Sequence, residues 1–254
     1  EAAREAVGRF LHASSSKEIV FVRGTTEAIN LVARTYGRQN LREGDEILIS
    51  HLEHHSNIVP WQHLCGETGA VLRVIPVDDT GQIDLCEYGK LLNEKTKLVS
   101  LTHVSNALGT VVPVREMIAL AHCVGARVLI DGAQAISHLA VDVRSLDCDF
   151  YAFSGHKVYG PTGIGALYAK WEILKDLPPY QGGGNMIADV TFEKTKYQDP
   201  PARFEAGTAN ISDAAGLAAA LDYVSGIGSD KIFAYEHALT EYLTEKLQSV
   251  PGLA

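Results

Sequence analysis

The chain has 254 residues, 46% of them hydrophobic, and its 22 Lys and Arg stand against 31 Asp and Glu, a formal net charge of −9. This balance is typical of a globular protein and excludes a disordered chain. The acidic charge disfavours nucleic acid and anionic membranes as partners, because phosphate binding needs clustered Lys and Arg. No apolar run approaches the ~20 residues that a membrane span needs, so we expect no membrane partner.

Short apolar runs alternate with helical patterns along the chain. A long irregular region after residue 170 is marked by Pro and Gly clusters. The alternation predicts an α/β fold with a mostly parallel sheet and helices on both faces. The predicted strands are 19–22, 47–50, 71–77, 98–102, 128–130, 150–153 and 166–168. The predicted helices are 1–11, 25–36, 57–65, 88–92, 113–124, 212–224 and 230–249.

The four cysteines show no Cys-x-x-Cys spacing and are sparse, so we expect a reducing, cytoplasmic location and no disulfide framework. Cys65, Cys123 and Cys148 are predicted to be small buried hydrophobic residues, whereas Cys86 lies in a polar stretch and is left unassigned. The chain shows no initiator Met and no signal-peptide pattern, and it stops just after a helical pattern. We therefore expect it to be the middle of a longer protein.

Polar residues follow strand after strand in the predicted sheet. They comprise 24–26, 53–55, 105–106, Asp131 and 154–157. In open parallel sheets, ligands bind outside the carboxyl ends of the strands, so these five segments are expected to converge on one crevice.

Thr25 and Thr26 begin a predicted helix directly after the first strand. One interpretation is a simple helix cap, since Thr is a common capping residue. The other is an anion site, because the free N–H groups and the helix dipole both favour a phosphate there.

Asp131 directly follows a fully apolar strand. It is interpreted either as the cap of a following helix at 132–136 or as a carboxylate that faces a cationic nitrogen, as in sites for pyridoxal 5′-phosphate (PLP). Lys157 lies beside Ser154 and His156, between a strand and a glycine-rich segment. We expect this lysine to be partly desolvated, with a lowered pKa that suits Schiff-base formation.

Three histidines, His51, His54 and His55, follow the second strand. Their spacing matches no metal motif and no acidic or cysteine cluster completes a ligand set, so no metal is expected. One imidazole stacked on a planar ring is the functional alternative to a histidine on a loop surface.

Six segments in order resemble the PLP-dependent cysteine desulfurases of the Suf/Csd group, which belong to aminotransferase class V. The segments are 23–27 (RGTTE), 53–61 (EHHSNIVPW), 105–110 (SNALGT), 131–134 (DGAQ), 149–165 (DFYAFSGHKVYGPTGIG) and 203–208 (RFEAGT). The match covers nearly the whole chain, and six ordered segments make the resemblance specific.

The resemblance implies a role for each matching residue. Lys157 matches the Schiff-base lysine that later moves protons, Asp131 the partner of the pyridine nitrogen, and His54 the imidazole stacked on the ring. Gln134 matches the donor to the ring hydroxyl, and Asn106 matches a residue beside the cofactor and substrate. The phosphate ligands are matched by Thr26, Ser154 and His156. Thr208 matches a phosphate contact supplied across the dimer interface.

The resemblance also implies the large domain of a PLP-dependent transferase of fold type I over 1–254, truncated at both ends. The enzyme would be a homodimer that removes sulfur from L-cysteine, or sulfinate or selenium from its analogues, leaving L-alanine. The sulfur would pass to an acceptor protein for iron–sulfur cluster or cofactor assembly. In this group the nucleophilic cysteine lies in a C-terminal small domain beyond residue 254, so the fragment alone is expected to be inactive.

Two alternatives remain beside this interpretation. Another class V enzyme, kynureninase-like or a transaminase, would share Asp131 and Lys157 but not the whole 149–165 segment. A non-catalytic scaffold for a sulfur-acceptor protein is the alternative outside enzymes, and the complete set of cofactor residues speaks against it.

Overall fold

Within residues 1–252, which the computed structural model describes, the chain forms a seven-stranded sheet and a separate two-stranded hairpin. The strands of the sheet are β1 Ile19–Val22, β2 Glu46–Ser50, β3 Val71–Ile75, β4 Thr96–Thr102, β5 Arg127–Asp131, β6 Phe150–Ser154 and β7 Gly165–Ala169. The hairpin consists of β8 Ile187–Val190 and β9 Thr195–Tyr197. The helices are α1 Ala2–Phe10, α2 Thr25–Val32, α3 Arg38–Asn40, α4 Val59–Thr68, α5 Leu85–Leu91, α6 Val114–Cys123, α7 Val143–Leu146, α8 Trp171–Leu174, α9 Ile211–Ile227 and α10 Ser229–Gln248.

The sheet has the strand order β1-β7-β6-β5-β4-β2-β3. Its pairs from β3 to β6 are parallel, and β7 runs antiparallel to both of its neighbours, β6 and β1. Strand β1 therefore runs in the same direction as β6. As a result, the carboxyl ends of β1, β2, β4, β5 and β6 meet at one edge of the sheet, as the polar segments predict.

Helices cover both faces of the sheet because the central strands are buried on both sides. Every residue of β2, β6 and β7 is buried. One core cluster joins the sheet to α1, α6 and α9, and a second joins the opposite face to α2 and α4. This two-sided burial explains why the strands read as continuous apolar runs.

The largest departures from the predicted elements lie after residue 170. That region was expected to be irregular, but it contains the short helix α8 and the β8–β9 hairpin. The hairpin strands are almost wholly exposed, so they lack the alternation of apolar and polar residues that reveals a half-buried strand. The predicted helix 25–36 also changes character, since α2 ends at Val32 and a π-helical turn follows over Ala33–Gly37.

The expected burial of the cysteines holds for Cys148 but is wrong for Cys123. Cys148 is buried, Cys65 is half-buried, and Cys86 and Cys123 are exposed. Helix α6 buries the face that carries Met117, Ile118 and Ala121, and Cys123 falls outside that face. Among the described helices, none is both long and apolar enough to cross a membrane.

Candidate active site

The carboxyl-end edge of the sheet borders a cavity of about 470 Å³, a size that suits a small cofactor. All of the predicted site residues except Thr208 line this cavity. They are Thr25, Thr26, His54, Asn106, Asp131, Gln134, Ser154, His156 and Lys157, joined by Ser56, Thr102 and Ala133. Five chain segments that are distant in sequence thus supply one set of polar groups.

The start of α2 is fastened to the end of β6 at one side of the cavity. The Ser154 hydroxyl oxygen accepts the Thr25 backbone N–H at 2.9 Å and lies 2.9 Å from the Thr25 hydroxyl. This approach requires glycine nearby, because a Cβ on Gly165 would lie 2.7 Å from Cα of Gly24. The N-cap is Gly24, without a side-chain cap bond, so the interpretation of Thr25 as a simple helix cap is wrong. The hydroxyls and the helix N-terminus together suit an anion.

Asp131 ends β5 and is only 3% exposed. Its Oδ1 atom accepts the Ala133 N–H at 2.9 Å, while Oδ2 accepts no hydrogen bond from the residues that the structure describes. Burial raises the pKa of Asp131, and the Ala133 bond and the positive charge of Lys157 act in the opposite direction. One oxygen therefore shapes the following turn, and the other remains available to a cationic nitrogen.

His54 directly precedes a short 3₁₀ turn over His55–Asn57. Its Nδ1 atom accepts the Ser56 N–H at 3.2 Å and lies 2.8 Å from the Ser56 hydroxyl oxygen. Because Nδ1 is an acceptor, the ring carries its proton on Nε2 when neutral. His51 and His55 do not line the cavity, and no group of three or more His, Cys, Asp and Glu suited to a metal occurs within residues 1–252.

Lys157 lies in the 3₁₀ turn Gly155–Val158, which follows β6 directly. Its side chain lines the cavity but is exposed, so the expectation of a partly desolvated lysine is wrong for this chain. The neighbouring His156 is also exposed and lines the same cavity. Lys157 forms no hydrogen bond or ion pair with the described residues, which leaves its amine free to react.

Two further predicted residues reach the cavity from loops, and one does not reach it. Asn106 follows β4 in a turn that the Ser105 hydroxyl closes by accepting backbone N–H groups, and Gln134 is half-buried shortly after Asp131. Thr208 is exposed and lines a separate groove of about 330 Å³. The resemblance assigns Thr208 to the site of a partner subunit, so its position outside the cavity of its own chain does not conflict with that assignment.

These residues fit PLP by the chemistry of their groups. Hydroxyls and a helix N-terminus at one side suit a phosphate, and the buried carboxylate of Asp131 has an oxygen free for a protonated pyridine nitrogen. The amine of Lys157 borders the same cavity, where it suits an aldehyde.

Comparison with known proteins shows that the chain belongs to the aminotransferase class-V family, whose sequence pattern it matches over residues 1–254. A cysteine desulfurase from Synechococcus elongatus is 66% identical over the whole chain, which spans 40% of that relative's length. The crystal structure of the cysteine desulfurase CsdA from Escherichia coli superposes with a TM-score of 0.97 and 41% identity, over 99% of this chain and 63% of that one.

A C-DES variant with glycine covalently linked to its PLP cofactor superposes with a TM-score of 0.88 and 28% identity, over 98% of this chain and 66% of that one. These findings confirm the resemblance to cysteine desulfurases and the predicted fold type I of PLP-dependent transferases.

Several residues around the site escape the sequence patterns. Ser56 and Thr102 line the cavity, and Glu53 lies in a buried hydrogen-bond network behind it. Glu53 and Ser56 lie within the segment that carries His54, so the motif marked their place but not their contacts. One partner of Glu53, the backbone N–H of Thr102, lies on β4 and is distant in sequence, so no local pattern reveals this contact.

Proposed function

We propose that the protein containing this chain is a PLP-dependent cysteine desulfurase, which takes sulfur from L-cysteine and releases L-alanine. The observation that carries the proposal is the arrangement of one cavity. Asp131, with an oxygen free for a ring nitrogen, borders the same cavity as the amine of Lys157 and the hydroxyl of Ser154. The cysteine desulfurases that this chain resembles supply the choice of substrate.

When bound, PLP supplies an electron sink for the negative charge that develops at the substrate Cα. In this proposal Asp131 keeps the ring nitrogen protonated, and a charge-assisted hydrogen bond of that kind is about twice as strong as a neutral one. Lys157 would hold the cofactor through its Nζ, and the same amine would take the Cα proton of the substrate. Its side chain is exposed and lines the cavity.

The other residues orient the cofactor. Thr25, Thr26, Ser154 and His156 bind the phosphate, with the Ser154–Thr25 contacts holding the donors in place. His54 stacks on the ring, in an orientation that Ser56 maintains through Nδ1. Gln134 donates to the ring hydroxyl, and Asn106 contacts the cofactor and the substrate from the loop after β4. Thr208 supplies a phosphate contact to the partner subunit of a homodimer.

The sulfur-accepting thiolate is proposed to come from outside these 254 residues. None of the four cysteines lines the cavity, and burial raises the pKa of both Cys65 and Cys148, which disfavours their thiolates. The chain then forms the large, PLP-binding domain, and a small domain supplies the nucleophile. We place the enzyme in the cytoplasm, where its persulfide sulfur passes to an acceptor protein for iron–sulfur cluster assembly.

The experiment that tests this function compares the full-length protein with its Lys157→Ala variant. Both are given L-cysteine and a reductant, and alanine and sulfide are measured in parallel. Equal amounts of the two products from wild type and none from the variant are expected. Parallel assays with cysteine sulfinate and selenocysteine rank the substrates. A protein that binds PLP but releases no alanine from any of them would contradict the proposal and favour a scaffold.

A further inference from the structure

Glu53 is a buried carboxylic acid that the proposed chemistry leaves without a role. It is 8% exposed and lies directly before His54 in the chain. Its Oε1 atom accepts the Thr102 backbone N–H at 3.0 Å and the Ser50 hydroxyl, and its Oε2 atom accepts the Asn57 side-chain N–H at 2.6 Å. Its hydrogen-bond donors thus come from β2, β4 and the turn after His54.

The orientation of the Asn57 amide is fixed by its own partners. Its Oδ1 atom accepts the Trp61 indole N–H at 2.9 Å and the Ser100 hydroxyl, so its NH₂ group faces Glu53. Asn57, Trp61 and Ser100 are fully buried. The backbone N–H of Thr102 is likewise an obligatory donor. Each oxygen of Glu53 therefore accepts a hydrogen bond from one group that can only donate. The Ser50 hydroxyl is the one partner that could instead accept a hydrogen bond from a protonated Glu53.

The network connects the two parts of the site that would contact the cofactor ring. On one side Glu53 begins the turn that carries His54. On the other side it binds Thr102, which lies opposite Asp131 in the register between β4 and β5. A substitution of Glu53 is therefore expected to affect both His54 and Asp131.

The charge of Glu53 has no basic partner in the described part of the chain. Burial, together with the negative charge of Asp131, raises the pKa of Glu53 to about 7, and its three hydrogen bonds act in the opposite direction. Repulsion between two carboxylates is mutual, so an ionised Glu53 makes the negative charge of Asp131 costly unless a cation faces it. The positive charges of His54 and Lys157 act to lower the pKa of Asp131.

We infer that Glu53 is a positioning residue that acts through Asp131. It fastens the turn carrying His54 to strand β4, and its negative charge strengthens the hold of Asp131 on a cationic ring nitrogen. The inference deepens the proposed function and rests on it for the identity of the cation. The coupling between the two carboxyl groups is independent of the cofactor.

The test measures the pKa of Glu53 by carboxyl ¹³C NMR in cofactor-free, full-length protein, with the signal assigned through Glu53→Gln. Glu53 titrates while Asp131 is ionised, so Asp131→Asn, which removes that charge, should move the Glu53 midpoint toward acid by roughly 0.5–1 pH unit. The control is Trp61→Phe, which removes a buried donor of the same network without changing any charge. It should lower the unfolding temperature and leave the shift that Asp131→Asn causes unchanged.

A double variant separates the charge of Glu53 from its hydrogen bonds and keeps the test decisive if Glu53→Gln alone does not fold. In Glu53→Gln with Asn57→Asp, the new amide donates to the new carboxylate, which still accepts from Trp61 and Ser100. The network is satisfied again, but the charge moves from the level of Thr102 to the level of Ser100, two residues back along β4 from the pair with Asp131. A recovered unfolding temperature is expected, with a smaller acid shift of the cofactor's visible absorbance than in Glu53→Gln.

In the PLP-loaded protein, the cofactor's visible absorbance should titrate at a lower pH in the Glu53 variants than in wild type. A Glu53 midpoint that is the same in wild type and in Asp131→Asn overturns the inference, and so does an absorbance shift in Trp61→Phe equal to that in Glu53→Gln. Failure of wild type to take up PLP overturns the proposed function instead, and the cofactor-free titration then still decides the role of Glu53.

Discussion

The ring of Tyr151 occupies the space that any side chain at position 132 would need. A Cβ built on Gly132 would lie 2.1 Å from Cε1 of Tyr151, whose side chain is fully buried. The Tyr151 hydroxyl lies 3.2 Å from Nδ1 of His103, a buried histidine whose pKa burial lowers to about 4. The glycine after Asp131 is therefore required by the neighbouring strand, and the ring supports the backbone from which the carboxylate extends.

Gly132→Ala is expected to destabilise the fold by about 1–3 kcal/mol, because the methyl group overpacks against a ring that cannot move. The displaced backbone should also weaken PLP binding. Gly66→Ala is the matched control, since a Cβ at this helical position of α4 meets nothing within 4 Å. Chemical denaturation of both variants checks the prediction. Equal stability of the two would show that the Tyr151 contact does not constrain position 132.

The pH dependence of stability should change when Glu53 is replaced. Folding raises the pKa of Glu53 from 4.5 to about 7, so the protonated acid stabilises the fold at low pH. That contribution is lost as the pH rises from 4.5 through about 7, and it amounts to at most about 3 kcal/mol. Glu53→Gln cannot titrate, so its stability relative to wild type should increase between pH 5 and 8. Urea unfolding across this range measures the difference, and Trp61→Phe should keep the slope of wild type.

Asp131→Asn should retain PLP but slow the removal of the Cα proton. The amide cannot hold the ring nitrogen in its protonated form, and a hydrogen bond to a charged group is worth about 1.5–3 kcal/mol, or roughly 10- to 100-fold in rate. Stopped-flow absorbance after mixing with cysteine reports this step in full-length protein. Unchanged kinetics with full cofactor occupancy would remove Asp131 from the proposed role.

The 254-residue chain by itself should not turn over cysteine even when it binds PLP. The proposed electron sink lies within this chain, whereas the thiolate and the groups that hold the substrate carboxylate are proposed to lie outside it. Orientation alone can be worth ~7–11 kcal/mol, so the loss should cost many orders of magnitude. Alanine release by the fragment, compared with full-length protein, checks this. Comparable rates would identify one of Cys65, Cys86, Cys123 and Cys148 as the nucleophile.

The position of the cavity was predictable from sequence because it depends on topology alone. Parallel strands bring their carboxyl ends to one edge, so the polar residues after β1, β4, β5 and β6 had to meet there. Neither the exposure of Lys157 nor the β8–β9 hairpin was predictable in this way. The lysine's environment depends on how far a short turn projects from β6, and the hairpin's exposed strands carry no apolar alternation.

The network behind the site was unpredictable for a different reason. The carboxylate oxygens of Glu53 accept hydrogen bonds from groups on β2, on β4 and in the turn after His54. Only the folded sheet brings these segments together. From sequence, Glu53 is one more acidic residue beside two histidines. Its burial reverses the usual expectation that an acidic residue in a polar loop faces solvent.

The covalent attachment of PLP to Lys157 is the central claim, and borohydride reduction tests it most directly. Reduction converts a Schiff base into a stable secondary amine, and peptide mapping by mass spectrometry then locates the pyridoxyl group. We predict that the label lies on the peptide that contains Lys157 and that Lys157→Ala carries none. A label on any other lysine of the wild-type protein would contradict the assignment and with it the proposed active site.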